Sequence, residues 1–202
     1  MTKLMIIDTE TGGIDPDRHS LLSLAAVVWA DGQIEGEIEI LVGEADVTVT
    51  ARALEINRID LVEHARGAVP PAEALSRLLG FVADHFQLEL AAGEQVVLVG
   101  HNVAFDVGFL RRLSRLAGAA FPAQFSHRML DTASVLRFLS LAGFVPASAV
   151  ASTEAFAHFG VRVPPELRHT ALGDARATAE LLSCLVGLVL PAGLERLTSA
   201  AA

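Results

Sequence analysis

The sequence predicts one α/β domain, a mixed sheet flanked by helices. Three observations carry that class. The first forty residues read as β-rich runs joined by turn residues, the remainder alternates helical and strand periods, and 52% of the chain is hydrophobic. At 202 residues the chain has the length of a large single domain and buries about 70% of its unfolded surface without a staple. Cys184 is the sole cysteine, which excludes a disulfide framework and a cysteine-built zinc site.

Leu4–Ile7 is a short apolar run suited to a strand buried on both faces, interrupted by Gly12 and Gly13. Leu21–Ala30 and Gln33–Val42 flank Asp31-Gly32, a strong hairpin signal because both turn positions favour positive φ. These runs predict three mostly antiparallel strands. From Ala51 the period becomes helical in short pieces, and Ala72–His85 reads as a full helix with Pro71 in its first turn. Gln95–Gly100 is a continuous apolar strand, and Val103–Leu116 a helix with Asn102 as its N-cap. A strand at Met129–Leu130, a helix from Thr132 to Leu139 capped by Asp131, and a helix at Thr153–Phe159 follow. Pro164-Pro165 marks a loop before the closing helix, Ala171–Leu190. Residues 191–202 are expected to be a flexible tail.

Fifteen basic residues stand against twenty-four acidic ones, a formal charge of −9. That balance argues against a general nucleic-acid coat protein, which carries a basic stripe. The cluster Arg111, Arg112 and Arg115 reads as a solvated helix face. No apolar run reaches the roughly 18–20 residues of a membrane span, and Lys3-Leu4–Ile7 is too short for a signal peptide. A cytoplasmic location and no membrane partner are the expectation.

Acids occur in three places where solvent does not account for them. Asp8 and Glu10, two apart at the end of a buried strand, project from one face and share it with Leu4 and Ile6. Two such carboxylates repel, and burial disfavours both charges; a divalent cation relieves both problems. Asp106 lies in the first turn of a helix, where the helix dipole alone favours an acid. Asp174 falls on the core stripe traced by Ala171, Ala175, Thr178 and Leu182, so it requires a buried partner, and a cation or an arginine would serve. His169, five residues earlier, stands about 140° away on an ideal helix and is expected on the preceding loop.

Together, Asp8-x-Glu10, His101-Asn102-x-x-Phe105-Asp106 and His169-x-x-x-x-Asp174 resemble the DEDDh family of 3′→5′ exonucleases, over about Lys3 to Leu190. The resemblance implies a ribonuclease-H-like fold, with an exonuclease domain at residues 1–190. It implies Mg²⁺ or Mn²⁺, two per active site, held by Asp8, Glu10, Asp106 and Asp174, and His169 as the base that deprotonates the attacking water. Thr11, Gly13, Ile59, His101, Asn102 and Phe105 become the expected substrate contacts, with Leu54 and Ile56 beside the terminal base; core packing explains Leu54, Ile56 and Ile59 equally well. Gly12 stands where some relatives carry a side chain, which would loosen that contact. The implied reaction releases nucleoside 5′-monophosphates from single-stranded 3′ ends, with DNA favoured. Trimming of RNA 3′ ends is the alternative, and an inactive nucleic-acid-binding or interaction module of the same fold is the non-enzymatic one. Neither a polymerase nor a homodimer partner is readable in the sequence.

Overall fold

The computed structural model describes residues 3–88 and 93–200, and from 189 onward the backbone alone. A five-stranded sheet has the order β3-β2-β1-β4-β5. Its first three strands are β1 (Lys3–Thr11), β2 (Leu21–Ala30) and β3 (Gln33–Leu41), all antiparallel neighbours. Two short parallel additions follow, β4 (Leu98–Gly100) and β5 (Leu130–Asp131). Every residue of β2 is buried, because helices cover both faces of the sheet.

On one face Met5, Ile7, Leu24 and Val28 pack against α3 (Pro71–His85) and α4 (Ala104–Leu116) through Leu78, Val82, Phe109, Leu110 and Leu113. On the other, Ile6, Ala25, Val27 and Val99 meet α7 (Ala171–Ala200) along Ala171, Ala175 and Ala179. Those small side chains let the helix lie close to the strands. A third cluster joins α5 (Thr132–Leu141), α6 (Ser152–Phe159) and α7 around Leu136, Phe156 and Leu181. Two one-turn-scale helices, α1 (Ala51–Asn57) and α2 (Leu61–Gly67), are capped by Thr50 and Asp60.

Several boundaries differ from expectation for physical reasons. The strand expected over Gln95–Gly100 is regular only at Leu98–Gly100; Val96 makes an isolated bridge to Phe125. β5 sits one residue later than Met129–Leu130. Asn102 is not an N-cap: it adopts φ 63°, its backbone N–H donates to Asp131 Oδ1 at 2.7 Å, and α4 starts after Val103 without a side-chain cap. The closing helix α7 runs on to Ala200, ten residues beyond the expected end at Leu190. Arg112 leaves the solvated face it was assigned. Its guanidinium is buried against Glu44, with hydrogen bonds of 2.8 and 2.6 Å.

Candidate active site

The parallel pairing of β1 with β4 stops at Ile6 and Val99, while β1 continues to Thr11 beside β2. Beyond that point the carboxyl end of β1 has no neighbour on one side, and two helices reach the gap from opposite faces of the sheet. Asp8 and Glu10 share the face of Ile6, the one covered by α7, so they meet Asp174 in its first turn. Carboxylate oxygens of Asp8, Glu10 and Asp174 lie within 4.8 Å of one another. Asp106 arrives from α4 on the other layer, buried, and accepts a hydrogen bond of 2.7 Å from Thr9 Oγ1.

The electrostatics of this cluster are unfavourable in a cation-free state. Burial first, then the charges of Asp106, Asp174 and Glu10, hold the Asp8 carboxyl well above the usual range; the Arg168 guanidinium partly opposes them. Glu10 is pushed up to about 8, again by burial first and then by Asp174 and Asp106. Burial raises Asp106 to about 7 against the lowering effect of the Thr9 hydroxyl. Asp174 Oδ1 is buried and has no hydrogen-bond partner, a state that ordinarily costs about 1–3 kcal/mol or more for a charged group. Hard oxygen donors, crowded negative charge and one orphaned carboxylate oxygen fit a divalent cation of the Mg²⁺, Mn²⁺ or Ca²⁺ type. Asp174 Oδ2 is already held, by Arg168 Nη1.

His169 precedes α7 on the loop, as expected, in a left-handed conformation at φ 62°. Its Nδ1 is 3.9 Å from Asp174 Oδ2. Partial burial and the neighbouring Arg168 charge move its pKa below the ordinary histidine value, against the pull of Asp174. Gly173 lets the loop approach this closely: a Cβ there would sit 2.0 Å from the Leu167 carbonyl oxygen.

Next to Glu10 lies a largely apolar cavity of about 450 Å³, lined among others by Thr11, Gly13, Ile14, His19, Ile56 and Phe105. Thr11, Gly13 and Phe105 are therefore where expected. Ile59 is not. It follows the left-handed Arg58 that ends α1, its N–H donates to Asn57 Oδ1, and Ile56 takes the cavity wall instead. His101 and Asn102 also turn elsewhere. The left-handed Asn102 directs the pair to a separate hollow with Asp131 and Ser134, where His101 Nδ1 contacts Thr132 Oγ1 at 3.1 Å. Gly12 does not loosen the cavity: a Cβ would fall 2.2 Å from the Thr48 carbonyl oxygen, so the backbones close the space a side chain would need. His19, which no motif in the sequence singles out, also lines the cavity. Buried Asn57 donates to the Thr11 carbonyl at 3.1 Å and so fixes the cavity floor. Arg168 was signalled in the sequence only by the need of Asp174 for a buried partner.

Comparison with known proteins agrees with this geometry. The chain is 32% identical over 193 residues to a DNA polymerase III subunit epsilon-like protein of Rhodobacter capsulatus, covering 94% of this chain and 24% of that protein. It is 29% identical to ribonuclease T of Haemophilus influenzae, covering 90% and 78%. The chain thus spans about a quarter of the first relative and most of the second. Among solved structures, Escherichia coli exonuclease I in complex with a dT13 oligonucleotide superposes with a TM-score of 0.76 at 18% identity, over 98% of this chain and 44% of that one. The nuclease domain of 3′hExo, a DEDDh member bound to rAMP, gives 0.73 at 16% over 92% of both. These likenesses establish the ribonuclease-H-like fold. The sequence signature of the exonuclease family matches residues 5–182, and the chain belongs to that family.

Proposed function

We propose that the protein is a divalent-metal-dependent 3′→5′ exonuclease acting on single-stranded nucleic-acid ends. The observation that carries this reading is the meeting of Asp8, Glu10 and Asp174, with Asp106 beside them, at the rim of a cavity sized for a nucleotide base. Asp8, Glu10 and Asp174 would hold the ion that bears the attacking water, and Asp8 with Asp106 a second. When bound, such ions activate water and neutralise the charge that grows on the attacking and leaving oxygens of a phosphodiester. Mg²⁺ or Mn²⁺ suits the all-oxygen set.

The remaining work falls to this chain's own groups. His169 accepts the proton of the attacking water. Its lowered pKa keeps it neutral at pH 7, and Asp174 Oδ2 stands ready to steady the imidazolium that results. Phe105 and Ile56, both partly exposed in the cavity wall, would meet the terminal base, and Thr11 and Gly13 would offer backbone to the terminal nucleotide. A cytoplasmic location belongs to the same proposal.

Single-stranded DNA is the first substrate we assign. RNA 3′ ends form a second reading, favoured by the fact that the chain spans 78% of a ribonuclease T but far less of the polymerase-related proteins. A panel of 3′- and 5′-blocked DNA and RNA oligonucleotides, with Mg²⁺, Mn²⁺ or chelator, separates the two. Release of 5′-monophosphates from free 3′ ends, lost with chelator and with Asp8→Ala, is the expected result. Activity that survives Asp8→Ala, or that starts from 5′ ends, would overturn the assignment.

A further inference from the structure

Arg168 is held at several points beside the acids. Nη1 donates to Asp174 Oδ2. On the far side Nη2 donates to Ser152 Oγ and Thr153 Oγ1, each at 3.0 Å, at the start of α6. The guanidinium lies 5.2 Å from the centre of the Phe156 ring. Arg58 donates from Nη2 to the backbone carbonyls of Pro165, at 3.1 Å, and of Arg168 itself, which ties the same loop to the end of α1. The side chain is 18% exposed. A planar fork spanning α6 and Asp174 is thus fixed from both ends, and the Asp174 oxygen it leaves free, Oδ1, is the buried one without a partner.

We infer that Arg168 is a positioning residue of the metal centre: from outside the coordination shell it holds one oxygen of Asp174 so that the other is presented to the ion. Because His169 is the next residue, the same clamp sets where the base stands. The inference rests on the exonuclease reading only in taking the acids to bind a divalent cation. Two effects compete when Arg168 is removed. Loss of its charge favours a dication, whereas loss of the clamp lets Asp174 turn. The clamp dominates here, because a carboxylate ligand held by an outer hydrogen bond typically owes 10–100-fold of the site's affinity to it. Lysine keeps the charge but offers a single-point donor in place of the fork.

The test is Mn²⁺ binding without nucleic acid, followed by electron paramagnetic resonance and calorimetry on the full chain. Arg168→Met is expected to bind Mn²⁺ about 10–100-fold more weakly with unchanged circular dichroism, and Arg168→Lys to recover part of the loss. A Ser152→Ala/Thr153→Ala double variant, which loosens only the far end, should fall between. Wild-type or tighter affinity in Arg168→Met overturns the inference alone. Should that variant fail to fold, wild-type affinity in the double variant does the same. A wild-type protein whose Mn²⁺ binding is indifferent to Asp8→Asn would overturn the inference together with the metal-dependent reading.

Discussion

Among single residues, the carboxylates and His169 make opposite demands on pH. Folded Glu10 titrates at about 8 against an ordinary 4.5, and Asp106 at about 7 against 3.8. The cation-free folded state therefore binds more protons than the unfolded chain between those limits, and its stability falls as pH rises through them. In chelator, Tm is expected to drop between about pH 5 and about pH 8. Glu10→Gln should flatten the upper part of that slope, and added Mn²⁺ should raise Tm most at the alkaline end. A cation-free Tm that climbs across the window would contradict the burial of these acids. His169→Ala should slow turnover about a hundredfold or more while leaving Mn²⁺ binding intact. The acid limb of the wild-type rate profile should lie below the usual histidine value, as the shift of His169 requires; near-normal turnover of the alanine variant would remove it as the base. Asp8, Glu10 and Asp174 were visible in the sequence, since acids on apolar faces advertise a missing partner, whereas Asp106 and His169 stood out only through the family resemblance. The N-cap expected of Asn102 did not form, because that residue is left-handed and α4 starts after Val103.

At the scale of elements, the site depends on two departures from regularity. β4 is three residues long, which leaves the end of β1 uncovered, and Gly173 lets a loop press against the first turn of α7. Nothing in the apolar run Gln95–Gly100 announced that pairing would begin only at Leu98; register is a relation between segments. Nor could sequence show that Glu44 and Arg112, sixty-eight positions apart, pair beneath the loop whose Pro16 carbonyl accepts from Arg112 at 3.1 Å. Gly173→Ala is expected to displace the 164–170 loop, because the added carbon has a backbone oxygen at 2.0 Å. The predicted consequence is a loss of turnover comparable to removing His169, with the helix content unchanged. Assay and circular dichroism side by side decide it, and wild-type kinetics in this variant would show that the loop need not sit where it does.

Across the whole molecule, the acidic balance hides a local asymmetry. The sequence shows no basic track, yet folding brings Arg52, Arg58 and Arg168, with Glu55 and His169, around one open hollow that shares Arg52 and Ile56 with the apolar cavity. There Arg52 pairs with Glu55 and Arg168 with Asp174, so Arg58 is the guanidinium of the three without a carboxylate partner among the described residues. Residues more than a hundred positions apart thus make a small cationic approach inside a chain of formal charge −9. Contact with one or two phosphates gives a log–log salt dependence of about −0.7 to −1.4 for a single strand. Initial rates on short single-stranded oligonucleotides, measured at several salt concentrations below KM, should follow that shallow slope, and digestion should be distributive. A much steeper slope, or degradation of long strands in one encounter, would mean a longer binding surface than this one.

The twisted backbone at His169 carries a cost that has nothing to do with chemistry. A left-handed non-glycine residue is disfavoured by roughly 1–2 kcal/mol, so His169→Gly should raise the melting temperature while abolishing the imidazole. Directed evolution screened on heat resistance alone would drift toward that replacement and breed a durable, inert protein. The uncomfortable residue marks the place where survival of the molecule and its usefulness part company.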